Sequence, residues 1–156
     1  MERDLHSPRK KRKTEGAVGV RRYVVDTSAW IDFFRGTERG RKVKNLILAP
    51  GKVVEIVTPT LVMAEFRQHY AKTGHQGYEA DMERIRLLSD EVLPLDEATA
   101  LQAGLLRSKH VNRNLSMVDC VLLAVAEQRG SKVLSLDGGF KGRAEAVYIG
   151  GGRTPT

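Results

Sequence analysis

The sequence predicts an α/β domain with a mostly parallel sheet that is covered on both faces. Short runs of valine, isoleucine and leucine alternate along the chain with longer segments of helical periodicity. Hydrophobic residues make up 41% of the 156 residues, which is enough for one well-buried core and too little chain for two ordinary domains. Strands that alternate with helices are joined by crossovers, which keep the strands parallel and place helices on the faces of the sheet.

The predicted elements begin with a strand at Val24 and Val25, followed by a short helix through Trp30, Ile31 and Phe34. Glycine and proline separate the segments that follow. These are, in order, a helix from about 38 to 48, a strand at 53–57, helices from 60 to about 72 and at 78–89, a strand at 92–95, helices from 97 to about 110 and at 116–129, and strands at 132–136 and near 146–149.

Charge and composition divide the chain into a basic tail at 1–21, one domain at 22–150 and a loose end at 151–156. The first 22 residues contain eight lysines and arginines against three acids, whereas the rest contains eighteen against sixteen, so most of the net charge of +7 lies in the tail. The run RKKRK within it lacks periodic apolar residues, and we expect disorder there. A solubilising or vector-derived arm, a phosphate-binding arm and a nuclear-import-like patch remain open interpretations.

Several classes of protein are disfavoured by what the sequence lacks. Cys120 is the single cysteine, so no internal disulfide can form. There is no run of about 18 uncharged apolar residues to span a bilayer, and no apolar segment follows the basic start as in a secretory signal. We therefore expect a soluble, cytoplasmic protein that does not associate with membranes.

Asp26 and Asp137 each follow a predicted strand. The carboxyl ends of parallel strands form the edge at which α/β proteins bind ligands, so both residues are candidates for a site. Each has an alternative role. Asp26 can cap the following helix, and Asp137 can start a tight turn at Gly138 and Gly139.

Glu65 and Asp119 lie on predicted helices. Glu65 borders an apolar stripe, where a glutamate is usually solvated. Asp119 is the only charged residue in the segment LSMVDCVLLAVA, and an unpaired carboxylate in a helix that is apolar on nearly every side is costly. Asp119 is therefore interpreted as a ligand, and the alternative is that it occupies the N3 position of a helix capped by Ser116.

Asp26, Glu65, Asp119 and Asp137 can converge in one pocket, because two follow strands and two lie on helices that can lean over the same edge. At an effective dielectric of 20, two carboxylates about 4 Å apart repel each other by about 4 kcal/mol, so such a cluster requires protons or a divalent cation. Oxygen ligands favour Mg²⁺ or Mn²⁺ over zinc. The four histidines are scattered and are interpreted as surface or packing residues.

Five segments occur in an order that matches a known family. They are YVVDTSAWIDFFRG from Tyr23, LVMAEF around Glu65, LPLDEATALQAGLLR from Leu93, LSMVDCVLLAVAEQRG from Leu115 and VLSLDGGF from Val133. This set resembles the PIN-domain ribonucleases, in particular the VapC-type toxins of prokaryotic toxin–antitoxin pairs. The resemblance covers about residues 22–150 and implies a three-layer α/β/α domain with a small, mostly parallel sheet. It also implies an acidic pocket that binds Mg²⁺ or Mn²⁺ and hydrolyses RNA.

By position, the four acids of that family fall on Asp26, Glu65, Asp119 and Asp137, as catalytic and metal-binding residues. Thr27 and Ser116 match hydroxyls beside the metal. Capping of the first helix is then ascribed to Thr27 or Ser28, which leaves Asp26 to bind metal.

Three further positions bear on the resemblance. Asp96 is not counted among the ligands and is predicted to cap the helix from Glu97. Ser135 replaces the threonine of a T-x-D-x-x-F pattern and keeps the hydroxyl. The basic tail departs from the family, whose toxins commonly begin almost at the first strand.

The expected mechanism is metal-assisted attack of water on a phosphodiester, with Glu65 as a ligand or a base that orients the water. Cations must bind the RNA backbone around the carboxylates. The candidates are Arg35, Lys72, Arg107, Lys109 and Arg113.

The expected partners are RNA, a cognate antitoxin and a second copy of the chain. The apolar residues Trp30, Ile31, Phe33 and Phe34 suggest more apolar surface than one small domain needs to bury, and thus a homodimer. A non-toxin PIN-type RNA-processing nuclease and a catalytically inactive RNA-binding module remain alternatives. A phosphatase of the haloacid type is disfavoured, because Asp26 does not begin a D-x-D motif.

Overall fold

A five-stranded parallel sheet lies at the centre of the computed structural model, which describes residues 19–110 and 114–151. Its strands are β1 (Arg21–Val25), β2 (Val54–Pro59), β3 (Glu91–Leu93), β4 (Lys132–Ser135) and β5 (Ala146–Tyr148). All four neighbouring pairs are parallel, which confirms the predicted α/β class. Most of the proposed basic tail lies outside the described residues, although Arg21 belongs to β1, and the proposed loose end lies outside them beyond residue 151.

Six α-helices connect the strands in the described part of the chain. They are α1 (Thr27–Arg35), α2 (Glu38–Ile47), α3 (Thr60–Thr73), α4 (Tyr78–Leu88), α5 (Glu97–Lys109) and α6 (Met117–Arg129), and a short 3-10 helix follows β4 at Gly138–Phe140. The predicted helices match these bounds to within about two residues at each end, which is the usual uncertainty of helix ends.

The strand order β3-β2-β1-β4-β5 places the first strand in the middle of the sheet. From β1 the chain proceeds to β2 and β3 on one side and then crosses to β4 and β5 on the other, so the direction of winding reverses between β1 and β4. Val25 lies beside Leu134 in this pair, and the backbone N–H of Asp26 continues the ladder to Leu134. In open α/β sheets such a reversal opens a crevice at the carboxyl ends of the strands.

The core is built around β1 and α6. Val24 and Val25 are fully buried although their side chains point to opposite faces, so both faces of the sheet are covered. Every residue of α6 from Asp119 to Ala126 is also buried, as expected for a helix without a polar face.

The aromatic residues of α1 belong to this same core. Trp30 is fully buried and Phe33 is 6% exposed, while Ile31 and Phe34 are partly buried against the core. These residues therefore give no support to a homodimer, because Trp30 and Phe33 are buried within the chain and the other two are partly buried against its core. A homodimer remains a prediction without that support.

Close packing between α1 and α2 depends on Gly40. A Cβ atom at this position would lie 1.8 Å from the backbone oxygen of Asp32. The turn between α1 and α2 is also stabilised by Thr37, which caps α2 and donates a hydrogen bond to the Asp32 carboxylate over 2.7 Å. Among the described residues, no helix is long and apolar enough to cross a membrane.

Candidate active site at the carboxyl edge of the sheet

One cavity of about 380 Å³ lies at the carboxyl edge of the sheet, beside the point where the winding reverses. All four predicted acids line it: Asp26, Glu65, Asp119 and Asp137. The remaining lining residues are Thr27, Ser28, Ile31, Gln68, His69, Lys72 and Ser116. We refer to this set as the acidic cavity. The structure thus brings together four residues that are as far apart as 111 positions in the chain.

Asp26 is the N-cap of α1, and its Oδ1 accepts a hydrogen bond from the N–H of Thr27 over 2.7 Å. The prediction that Thr27 or Ser28 caps this helix is therefore wrong. Thr27 is the first helical residue, and the hydroxyl of Ser28 accepts from the N–H of Leu136 beyond β4. An aspartate with extended backbone in front of a helix is a favourable cap, which agrees with the capping role that Asp26 has as the alternative from the sequence alone.

The second oxygen of Asp26 is held by Ser135, the last residue of β4. Its buried hydroxyl donates to Asp26 Oδ2 over 2.6 Å and accepts from the N–H of Asp137 over 2.9 Å. One hydroxyl therefore connects the acids that follow β1 and β4. This explains why a hydroxyl two residues before Asp137 matters to the site.

Glu65 enters the acidic cavity from the second turn of α3. Its Oε1 accepts a hydrogen bond from the Thr27 hydroxyl over 2.5 Å. Thr27 thus contacts Asp26 through its backbone and Glu65 through its side chain, and it fixes the separation of these two carboxylates.

Asp119 lies at the N-terminus of α6 in a capping box with Ser116. Its Oδ2 accepts from the N–H of Ser116 over 2.8 Å, and the Ser116 hydroxyl accepts from the N–H of Asp119 over 3.1 Å. The capping role considered as the alternative is therefore present. It occupies one carboxylate oxygen, and no other hydrogen bond to Asp119 is made within the described ranges, so its Oδ1 is available to a ligand.

Asp137 caps the short 3-10 helix after β4. Its Oδ1 accepts from the N–H of Gly139 over 3.1 Å, and the residue is exposed and lines the cavity. The predicted turn at Gly138 and Gly139 is present, together with a position on the cavity wall.

Burial, with a smaller contribution from neighbouring negative charges, raises the pKa of two of the acids. The pKa of Asp26 is raised from its ordinary value of 3.8 to about 6, mainly by burial and also by the negative charges of Asp119 and Glu65, against the opposing hydrogen bond from Ser135. Burial raises the pKa of Asp119 as well, and the charge of Asp137 adds to this effect. A cation would oppose both shifts, because it stabilises the ionised carboxylates.

The residue types of the acidic cavity suit a divalent cation, but the distances between the carboxylates in this structure do not. Four carboxylates without a cysteine in the lining supply the oxygen ligands that Mg²⁺ and Mn²⁺ prefer. Within residues 19–110 and 114–151, however, no three acidic, histidine or cysteine side chains are close enough to hold an ion together as they stand. Binding would therefore require the carboxylates to come closer together, and of the four side chains Asp137 is the exposed one.

The acidic cavity has lining residues that the sequence did not indicate as part of a site, and one of the candidate cations lies in its lining. The sequence indicates Ser28 only as a helix cap and His69 only as a surface or packing residue, although the spacing of His69 four residues after Glu65 places these two side chains on one face of α3. Among the candidate cations, Lys72 lines the cavity. Arg35, Arg107 and Lys109 do not line it, and Arg113 lies outside the described residues.

Asp96 stays apart from the acidic cavity, as expected. It is the N-cap of α5, and its Oδ1 accepts from the N–H of Thr99 over 2.8 Å. The predicted capping role is confirmed.

A parallel α/β domain with an acidic cavity at its winding reversal is the architecture that the resemblance implied. The family model of the PIN domain matches residues 23–146, so the chain belongs to the PIN domain family. A search of curated protein sequences gave no significant match.

Solved structures similar to this chain include a toxin and a toxin-antitoxin complex. VapC20 from Mycobacterium tuberculosis, described as a Sarcin-Ricin loop cleaving toxin, is 26% identical with a TM-score of 0.63, over 80% of this chain and 96% of that chain. FitAcB from Neisseria gonorrhoeae is 24% identical with a TM-score of 0.59, over 81% and 96%. A toxin-antitoxin complex from Klebsiella pneumoniae matches at 19% identity and a TM-score of 0.60, over 81% and 97%. The last two show likeness of fold alone.

Proposed function

We propose that this protein is a metal-dependent endoribonuclease that hydrolyses RNA phosphodiesters and is the toxin of a type II toxin–antitoxin system. The observation that supports this most is the convergence of four carboxylates from four separate elements in one cavity. The membership in the PIN domain family and the likeness to VapC20, a toxin that cleaves the Sarcin-Ricin loop, favour RNA as the substrate.

The proposed cofactor is Mg²⁺, with Mn²⁺ as the alternative. Asp26, Asp119 and Asp137 would hold the cation, and Glu65 would be a further ligand or would orient the attacking water. When bound, the cation would neutralise the phosphate and lower the pKa of the attacking water.

The chain's own contribution is to hold the carboxylates in place. The Thr27 N–H and the Ser135 hydroxyl fix the two oxygens of Asp26, and the Thr27 hydroxyl fixes one oxygen of Glu65. The Ser116 N–H leaves one oxygen of Asp119 free for a ligand. Such supporting contacts determine how well a site is preorganised.

Protons compete with the cation at Asp26. Its pKa of about 6 means that the metal-free protein holds a proton there in mildly acidic solution. Since a carboxylate must be deprotonated to bind a cation, metal affinity and cleavage should fall as the pH falls through about 6.

The proposed substrate is single-stranded or looped RNA. The scissile phosphate has to reach carboxylates at the bottom of a cleft, and paired A-form RNA does not expose its bases or one separate strand to such a cleft. A cognate antitoxin is the proposed partner, because the structural neighbours include a toxin-antitoxin complex.

The activity is tested by incubating purified protein with RNA in Mg²⁺, Mn²⁺ or EDTA, beside Asp26→Asn and Asp119→Asn. We expect cleavage with either cation and none in EDTA. Each substitution should slow cleavage by at least about 100-fold, since even residues that only support metal ligands cost 10–100-fold. Asp96→Asn is the control, because Asp96 caps a helix outside the cavity. Cleavage that persists in EDTA, or that both cavity variants retain, would refute the proposal.

A catalytically inactive RNA-binding module is the second candidate, and one observation favours it. In the described part of the chain, no three side chains are already placed to hold a cation. Calorimetric titration with Mn²⁺ separates the two candidates. Binding that Asp26→Asn abolishes favours the nuclease, whereas no binding to the wild-type protein favours the inactive module.

A further inference from the structure

We propose that one face of α3, formed by Gln68, His69 and Lys72, is the subsite that binds the RNA backbone, with Lys72 contacting a phosphate next to the scissile one. The inference rests on the proposed function in that the substrate is taken to be RNA. It goes further by assigning cleavage to the four carboxylates of the acidic cavity and binding of the RNA backbone to the face of α3 that carries Lys72.

The three residues share one face of α3 with Glu65. They follow it at intervals of three, four and seven residues, which is the spacing of neighbours on a helix surface. All of them line the acidic cavity. The helix therefore carries an acid at one end of the cavity wall and a cation at the other.

Lys72 is the positive charge of this wall. It is the single lysine or arginine among the lining residues that the structure describes, and its side chain is exposed. Within residues 19–110 and 114–151 it forms no ion pair, so its charge is not neutralised by a neighbouring acid. It is the group best placed to offset the repulsion between RNA and four carboxylates.

The position of Lys72 along the helix indicates which phosphate it binds. Seven residues of α-helix separate it from Glu65, or about 10 Å along the axis. That separation places Lys72 away from the reacting phosphate, so we assign it to a neighbouring phosphate of the same strand. Gln68 lies between them, and its amide makes no hydrogen bond in the described part of the chain, so it can donate to the same backbone.

The test measures binding separately from cleavage. Asp26→Asn serves as the background, and fluorescence anisotropy with a labelled single-stranded poly(U) oligonucleotide is recorded in Mg²⁺ over a range of salt concentrations. Lys72→Ala should weaken binding about fivefold at low salt and lower the slope of log affinity against log salt by about 0.7, the value for one phosphate contact on a single strand. Lys72→Arg should restore both quantities.

One further variant serves as a control, and another tests the uncharged part of the subsite. Lys44→Ala removes an exposed lysine in the last turn of α2, a position equivalent to that of Lys72 in α3 but outside the cavity, and it should change neither quantity. Gln68→Ala should weaken binding and leave the salt slope unchanged, because it removes no charge. If Lys72→Ala and Lys44→Ala bind alike, the subsite is refuted.

The outcomes distinguish this inference from the nuclease proposal. The expected weakening and lower salt slope in Lys72→Ala, together with no metal-dependent cleavage by the wild-type protein, would support a backbone-binding subsite and refute the nuclease. Cleavage that Asp26→Asn abolishes and Lys72→Ala leaves unchanged, with equal binding, would support the nuclease and refute the subsite. Absence of RNA binding by the Asp26→Asn protein in Mg²⁺ would overturn the subsite.

Discussion

Replacing Asp26 by asparagine should stabilise the metal-free fold at alkaline pH. Asp26 is 5% exposed, and its pKa lies at about 6 in place of 3.8. At 1.36 kcal/mol per pH unit, the difference corresponds to about 3 kcal/mol by which the folded state disfavours the ionised carboxylate. Asparagine has nearly the same shape and no charge. We expect a gain of about 1–3 kcal/mol, since the amide also loses charge-assisted hydrogen bonds.

The sign of the pH dependence follows from proton binding. Between pH 3.8 and about 6 the folded protein holds a proton on Asp26 that the unfolded chain has lost. The contribution of this group to stability therefore falls as the pH rises through that window, and its cost is fully present above it. The advantage of Asp26→Asn should be largest at about pH 8 and should disappear at about pH 4.

Urea denaturation of the two proteins in EDTA, at several pH values, measures this advantage. The control is Asp96→Asn, because Asp96 is likewise a helix N-cap but is exposed and has a lowered pKa, owing mainly to its hydrogen bond from the Thr99 N–H. Asparagine caps helices as well as aspartate does, so no alkaline gain is expected there. An Asp26→Asn protein that is less stable than wild type at pH 8, or a gain independent of pH, would refute the reasoning.

Three further outcomes can be checked. Added Mg²⁺ should raise the urea midpoint of the wild-type protein and much less that of Asp26→Asn, because a bound ligand stabilises only the fold that binds it; equal shifts would remove Asp26 from the ligand set. Ser135→Ala should lower the free energy of unfolding by about 1–3 kcal/mol, because the hydrogen bond to Asp26 is lost. It should also shift the acidic side of the pH profile of cleavage to higher pH, because the Ser135 hydroxyl lowers the pKa of Asp26. An unchanged pH profile would contradict this role. Gly40→Ala should lower the free energy of unfolding by at least about 1–3 kcal/mol, because its methyl group would overlap the backbone oxygen of Asp32. In the control Gly104→Ala, the added methyl group meets no atom within 4 Å and should be tolerated. Equal stability of the two variants would show that the turn between α1 and α2 adjusts.

The fold was predictable because local pattern and global architecture agree. Apolar runs such as Val24 and Val25 have no polar face, which in a chain of this size requires a sheet covered on both sides. Glycines such as Gly74 and Gly130 adopt positive φ at helix ends, which explains why the predicted ends lie close to the observed ones. The order of the strands in the sheet was not stated from the sequence, since periodicity does not specify which strands are neighbours.

The acids and the hydroxyls of Thr27 and Ser116 were identifiable from the sequence, whereas the contact from Ser135 to Asp26 was not. Asp119 was identifiable because a single charge in an apolar helix needs a reason. The role of Ser135 depends on the register of β4 against β1, which places its hydroxyl 2.6 Å from Asp26. The apolar residues of α1 gave an unsupported prediction of a homodimer interface for a similar reason, since their burial depends on packing that the sequence does not show. Nothing in the sequence distinguishes a tryptophan buried in its own chain, such as Trp30, from one that is exposed and buried by a second protein.

From the sequence, capping and metal binding are alternative roles for an acid, whereas in the structure each capping contact occupies only one carboxylate oxygen. Asp26, Asp119 and Asp137 each accept a backbone N–H at the start of a helix. These N–H groups and the helix dipoles partly offset the cost of holding several negative charges together. Since Asp119 and Asp137 each use one oxygen for this purpose, the other can face the cavity. Helix starts at the carboxyl edge of a parallel sheet can therefore concentrate carboxylates where a cation would bind, and a cap at such a position is no argument against a ligand.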